Sequence, residues 1–165
     1  MPASYVVGKT LVYPHHGAVT ITGLTMREFK GTPTKYMTLR VHSSDLVIQA
    51  AVDKAAGLGV RDVIDQAGVE KVFDLLRVAE VEEATNWSRR FKDNQAKMIT
   101  GDVYKVTEVV RDVWRREQDK GISAGEKSML ARARQILVSE LALAENTTTD
   151  DSDSRLLEAL QAPTQ

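Results

Sequence analysis

The segment Asn86–Lys92 reads Asn-Trp-Ser-Arg-Arg-Phe-Lys and combines an indole ring with three basic side chains. Thr85 or Asn86 can cap a helix that begins here, and the free N–H groups and dipole of a helix N-terminus favour a phosphate. Basic side chains near the start of that helix strengthen the same preference. The basic residues are Arg89, Arg90 and Lys92. The residue types therefore indicate an anionic partner.

Two further basic clusters follow along the chain. They are Arg111, Arg115 and Arg116, and then Lys127, Arg132 and Arg134. Residues 86–134 carry 12 basic and 7 acidic side chains, a net charge of +5, whereas residues 1–85 carry 9 and 10 and residues 135–165 carry 1 and 6. If the helices lie side by side, the clusters could form one surface that contacts phosphates. Acidic residues one turn away could equally neutralise them and leave ordinary solvated helix faces.

Spacing alone favours burial of Trp87. Trp87 lies one helical turn before Phe91, with Met98 further along the same face, and large aromatic side chains are usually well buried. The position of Trp87 at the start of a helix favours exposure instead. The other tryptophan, Trp114, continues a stripe of valines and is expected in the core.

Little in the sequence indicates catalysis. The chain has no cysteine, and the adjacent His15 and His16 would point to opposite faces of a strand. The sequence contains neither a metal-ligand spacing, a phosphate-binding loop nor a nucleophile motif. We therefore predict no enzymatic activity, no cofactor and no metal. No apolar run is long enough for a membrane span, so we expect a cytoplasmic protein without a membrane partner.

The predicted secondary structure divides the chain into a part made of strands and a part made of helices. Residues 1–52 alternate in short strands with turn residues at Lys30-Gly-Thr-Pro33, which predicts a small antiparallel β-module. Residues 53–146 have helical spacing, with an N-cap at Asp102 and a capping box from Ser123 to Glu126. The acidic segment 147–165 is predicted to be a mobile tail. The predicted fold class is therefore α+β.

Several of these stretches, in this order, resemble the CarD (CdnL-type) RNA polymerase-binding transcription regulators of actinobacteria. The matching motifs are Val12-Tyr-Pro-His-His-Gly17, Asn86-Trp-Ser-Arg-Arg90, Val109-Val-Arg-Asp-Val-Trp-Arg-Arg116 and Ser123-Ala-Gly-Glu-Lys127. The resemblance implies a Tudor-like N-terminal module that docks on the RNA polymerase β subunit. It also implies an all-helical C-terminal domain that contacts promoter DNA at the upstream edge of the bubble and stabilises the open complex. We expect a monomer that associates with the nucleoid through the polymerase.

The resemblance also implies roles for individual residues. Trp87 would be exposed and would wedge into the minor groove, with little sequence specificity. The basic residues expected at DNA are Arg89, Arg90, Lys92, Lys127, Arg132 and Arg134. Arg27 would grip the polymerase, whereas Gln49 stands where the family has a second gripping arginine. An alternative function is a polymerase adaptor in which the helical half does not bind DNA.

Overall fold

The computed structural model describes residues 5–79 and 85–163. Five strands form one antiparallel sheet in the order β4-β3-β2-β1-β5. The strands are β1 (Thr10–Tyr13), β2 (Gly17–Phe29), β3 (Thr32–Val41), β4 (Val47–Ala51) and β5 (Arg61–Asp62). The helices are α1 (Val52–Ala55), α2 (Gln66–Leu76), α3 (Trp87–Ile99), α4 (Val103–Asp119), α5 (Ala124–Ala144) and α6 (Thr149–Gln161). A small antiparallel sheet followed by helices confirms the predicted α+β fold class.

A long hairpin of β2 and β3 forms the centre of the sheet. Its turn residues Lys30 and Gly31 both have positive φ, at 51° and 79°, as two-residue hairpin turns require. Side chains alternate along β3, so its core-facing residues are buried at Met37, Leu39 and Val41. The opposite side carries Thr34, Tyr36 and Thr38 together with their cross-strand partners, and we call it the outer sheet face.

The N-terminal module continues past the boundary that the sequence predicts at residue 52. Strand β5 pairs with β1, with Arg61 opposite Val12. Ala55 and Val60 are buried in the apolar cluster under the sheet. Residues 53–62 therefore belong structurally to the sheet, because they supply part of its core and one of its edges.

The helices pack around a second apolar core, and their starts carry the caps that the sequence predicts. Asp102 accepts a hydrogen bond from the backbone N–H of Tyr104 at 2.8 Å, and Ser123 and Glu126 form the capping box. The buried stripe of α4 comprises Val106, Val109, Val110 and Val113. Across the described residues, no helix combines the length and apolar character needed to cross a membrane.

The mobile tail predicted for residues 147–165 is wrong over residues 149–161. This segment forms α6, which begins at an N-cap on Thr148. Leu156, Ala159 and Leu160 are buried in the helical core. Asp150 and Asp151, two of the acidic residues that suggested mobility, occupy the first turn of α6, where carboxylates interact favourably with the helix dipole. The apolar residues follow at helical spacing.

Helix α5 joins the two modules through a buried carboxylate. The Arg61 guanidinium forms two hydrogen bonds with Glu140, at 2.8 and 2.9 Å, and a third with the carbonyl of Gly101 at 3.1 Å. Glu140 also accepts from the backbone N–H of Ile64 at 3.0 Å. Gly17 lies against α5 so closely that a Cβ there would come within 3.2 Å of Ile136. The sheet and the helices therefore meet at a specific, close-packed junction.

We expect Leu156→Ala to lower the free energy of unfolding by about 2–5 kcal/mol, because it leaves a cavity beneath α6. The neighbouring Leu157 is only partly buried, so Leu157→Ala is the matched control and should cost less than half as much. Urea unfolding of the full chain measures both. Equal, small losses for the two variants would show that α6 is not docked on the core.

Candidate nucleic-acid interface

Trp87 lies at the first position of α3 and is 46% exposed. The burial that spacing alone predicts for this ring is therefore wrong. The buried side of α3 carries Arg90, Asn94 and Met98, so it is largely polar. The Trp87 ring lies beside it, at the N-terminal end of the helix. Asn86 caps this end by accepting from the N–H of Arg89 at 3.1 Å.

Two contacts hold the exposed indole. Its Nε1–H donates to Oε1 of Glu126 at 2.9 Å. Its ring stacks on Phe91, with the centroids 5.2 Å apart and the planes at 11°. Because Glu126 lies in the first turn of α5, the N-terminal ends of α3 and α5 meet beneath the indole. The ring is thus accessible but fixed in place.

Glu126 is a buried carboxylate with four hydrogen-bond donors. Only 2% of it is exposed, and it accepts from the backbone N–H and the hydroxyl of Ser123, both at 3.2 Å, in addition to the indole. The fourth donor is Nε of Arg90, at 3.4 Å. Burial raises the pKa of Glu126, but the hydrogen bonds from Ser123 and Trp87 and the charge of Arg90 outweigh burial and hold the pKa below its ordinary value. Glu126 is therefore ionised at neutral pH.

The structure corrects the prediction that Arg90 contacts DNA. Only 5% of Arg90 is exposed, and its guanidinium points inward to Glu126. Its Nη1 has no hydrogen-bond partner in the structure. A charged group on the inner face of α3 requires a partner of opposite sign, and Glu126 supplies it. The sequence motif predicts the capping role of Glu126. It does not predict that Glu126 contacts Arg90 and Trp87, which lie 36 and 39 positions away in the chain.

Three of the predicted DNA-contacting cations are exposed in the first turns of α3 and α5. Arg89 and Lys92 are exposed and lie three residues apart on α3, so they are neighbours on its outer face. Lys127 is exposed in the first turn of α5, next to Glu126. All three lie in the first two turns of α3 or α5, and the N-terminal end of a helix is a favourable environment for phosphate. We call Trp87, Arg89, Lys92 and Lys127 the indole surface.

Arg132 and Arg134 are directed away from each other. Arg132 donates to the backbone carbonyl of His15 in the turn after β1. Arg134 forms a two-point ion pair with Asp153 of α6, with distances of 2.6 and 2.9 Å. Two positions apart on a helix, side chains point to nearly opposite sides, which is why these arginines do not extend one cluster. Arg134 in particular already has its counter-charge.

The cluster around Arg111 supports the fold. Arg111 is buried, pairs with Asp112 at 2.8 Å, and donates to the carbonyl of Leu75 at 3.1 Å. Arg115 donates to the carbonyl of Leu76 at 3.0 Å. Both arginines thus satisfy backbone acceptors at the C-terminal end of α2, where cations are favoured.

The two residues predicted to meet the polymerase lie on the outer sheet face. Arg27 pairs with Thr34 across the hairpin, and Gln49 pairs with Thr38 on the other side of β3. Tyr36 lies between these pairs, with its ring centroid 6.0 Å from the Arg27 guanidinium. Arg27 and Gln49 are both exposed and lie on the same face of the sheet.

Two family profiles match consecutive parts of the chain. The profile "CarD-like/TRCF RID domain" matches residues 5–64, which comprise the sheet and α1. The profile "CarD, C-terminal domain" matches residues 71–157, from within α2 to within α6. The order of the matches is the order of the two modules.

The chain is also similar to individual proteins. YdeB of Bacillus subtilis (strain 168), a candidate transcription factor by name, is 31% identical over 135 residues, which cover 82% of this chain and 88% of YdeB. The solution NMR structure of the 72-residue N-terminal domain of Myxococcus xanthus CarD is 28% identical and covers 38% of this chain and 89% of that one, with a TM-score of 0.32. The chain therefore belongs to the CarD family of transcription factors.

Proposed function

We propose that this transcription regulator docks on the RNA polymerase β subunit through its outer sheet face and stabilises the open promoter complex through its indole surface. The observation that carries the proposal is the exposed, fixed ring of Trp87 where the ends of α3 and α5 meet. Apolar side chains inserted between base steps stabilise kinked or unstacked DNA. The exposed ammonium and guanidinium groups in the first turns of α3 and α5 would hold the backbone phosphates.

The expected DNA contact is weak and nearly independent of sequence. Three exposed cations, Arg89, Lys92 and Lys127, supply few phosphate contacts, and phosphates carry no base information. The minor groove presents a degenerate pattern to the indole. Docking on the polymerase would compensate for weak affinity, because the second contact then forms within one complex at a high effective concentration.

The junction supports this two-site arrangement. Arg61, Glu140 and Gly101 connect the sheet to α4 and α5 through short hydrogen bonds. A rigid connection would set the distance from the outer sheet face to the indole surface. The regulator would then recognise where the DNA bubble begins relative to the polymerase. If the open complex of polymerase and promoter is stabilised, the promoter opens more readily but the polymerase leaves it more slowly. Whether transcription rises or falls would therefore depend on the promoter.

Trp87→Ala should shorten the lifetime of the open complex about 5- to 150-fold, the equivalent of about 1–3 kcal/mol for one aromatic–base contact. Its cost to the free energy of unfolding should be about 1–2 kcal/mol, below the about 3–5 kcal/mol of a fully buried tryptophan, because the half-exposed ring loses one hydrogen bond and one stacking contact. Open-complex decay and thermal melts measure the two effects. Trp114→Ala is the matched control and should mainly lower stability, because Trp114 packs against the helical core. An unchanged lifetime with Trp87→Ala would favour the adaptor function without a DNA contact.

The cations of the indole surface should contribute to the salt dependence of DNA binding. Arg89→Ala, Lys92→Ala and Lys127→Ala should each reduce by about one the slope of log affinity against log salt, measured on forked promoter DNA with polymerase. Arg134→Ala should leave the slope unchanged, because Asp153 already neutralises Arg134. A larger effect of Arg134 than of Arg89 would place the phosphates on a different face of α5.

Arg27→Glu should abolish capture of the polymerase β subunit without unfolding the protein, since Arg27 is an exposed residue of the outer sheet face. Gln49→Arg should strengthen capture by restoring a second cation on that face. Lys35→Glu is the matched control, because Lys35 pairs with Met26 and so points to the other side of the same hairpin. Equal loss with Lys35→Glu, or no loss with Arg27→Glu, would refute the outer sheet face as the docking site.

A further inference from the structure

We propose that Glu126 and Arg90 are positioning residues that hold the Trp87 indole in the orientation in which it meets DNA. The inference rests on the proposed function. The two buried charged residues would not touch DNA themselves and would act on it only by holding the ring. The contact that carries it is the 2.9 Å hydrogen bond from the indole Nε1–H to Glu126.

Helix capping alone does not account for the position of Glu126. A capping box requires only that a glutamate reach back to the N–H of the N-cap residue, and such residues are commonly solvated. Here the carboxylate is 2% exposed and engages a side chain of another helix with each oxygen. Burying a carboxylate is unfavourable unless donors surround it, and Trp87 and Arg90 are two of these donors. The cap, the indole and the ion pair are therefore one connected unit.

Two contacts in different directions restrict both side-chain torsions of Trp87. Stacking on Phe91 sets the plane of the ring, and the hydrogen bond to Glu126 sets its rotation within that plane. An exposed side chain that is already ordered loses less freedom when it binds. For one ordered side chain the gain in affinity is about 2- to 10-fold.

Arg90 stabilises the hydrogen bond between the indole and Glu126, which we call the anchor, by facing the other carboxylate oxygen. Its Nε lies 3.4 Å from Oε2 of Glu126, the oxygen that does not bind the indole. A cation here favours the ionised carboxylate, and an ionised acceptor makes the stronger hydrogen bond. The groups that face Glu126 are thus Arg90 and Trp87 from α3 and Ser123 from the start of its own helix. Arg90 belongs to the Asn86–Arg90 motif, whose exposed residues are proposed to face DNA. Arg90 itself is buried because Glu126 is its partner.

A double-mutant cycle on open-complex lifetime tests this role. Trp87→Phe keeps a ring but removes the indole N–H, and Glu126→Gln keeps the shape but removes the charge. We expect Glu126→Gln to shorten the lifetime about 2- to 10-fold when Trp87 is present, and less than 2-fold in the Trp87→Phe background. Equal shortening in both backgrounds, or no shortening in either, would overturn the inference. Thr148→Ala, which removes the N-cap of α6 away from the indole, is the control for loss of a cap: it should lower the melting temperature in both backgrounds without a lifetime effect that depends on the indole.

The free protein offers a second readout that does not depend on the polymerase. The indole N–H of Trp87 should give an NMR signal that exchanges slowly with water and shifts on Glu126→Gln, but not on Glu140→Gln, the equally buried carboxylate at the junction. The pKa of Glu126 is lowered, so the anchor should be complete above the ordinary glutamate pKa of about 4.3 and be lost only as the pH falls through the lower folded value. If Glu126→Gln does not fold, the wild-type signal decides: exchange as fast as that of a free indole would refute the anchor.

The proposed function and the positioning role would be refuted by different results. Trp87→Ala in the same lifetime assay reports on the proposed function alone, and an unchanged lifetime would refute both that function and the role in DNA binding built on it. A normal loss with Trp87→Ala, combined with an additive cycle, would refute only the positioning role of Glu126 and Arg90.

Discussion

The ion pair between Arg61 and Glu140 is the interaction on which the arrangement of the two modules depends. Glu140 is almost fully buried, so its charge must be matched, and the matching groups come from the segment that ends the sheet module. Arg61 also binds the carbonyl of Gly101, just before α4. Removing Arg61 would leave the buried charge of Glu140 without its ion-pair partner, which makes the junction a specific geometry rather than a loose contact.

Helix α5 is the element that connects the two surfaces proposed to be functional. Glu126 lies in its first turn and holds the indole, whereas Glu140 lies near its C-terminal end and holds the sheet. Most of its other buried positions are apolar and belong to the helical core, including Leu130, Leu137 and Leu141. The helix is thus stabilised by burial along its length, and its two buried carboxylates determine what lies at each end.

The positive charge of residues 86–134 is divided between structural and surface roles. Arg90, Arg111 and Arg115 each bind a carboxylate or a backbone carbonyl, and Arg134 is neutralised by α6. The cations left near the indole are few. This distribution fits a regulator whose DNA contact is local and is assisted by docking elsewhere, because a broad basic face would bind DNA without the polymerase.

Local patterns in the sequence determined the type and limits of most elements. The turn at Lys30, the caps at Asp102 and Ser123 and the valine stripe of α4 were predictable because caps, turns and periodicity depend on residues within one or two turns. The tertiary structure decided which charges are available. Arg90 is buried, Trp87 is exposed and α6 is docked because of contacts between residues far apart in the chain. Periodicity shows that a helix has a face, but only the neighbouring helices decide which face is covered.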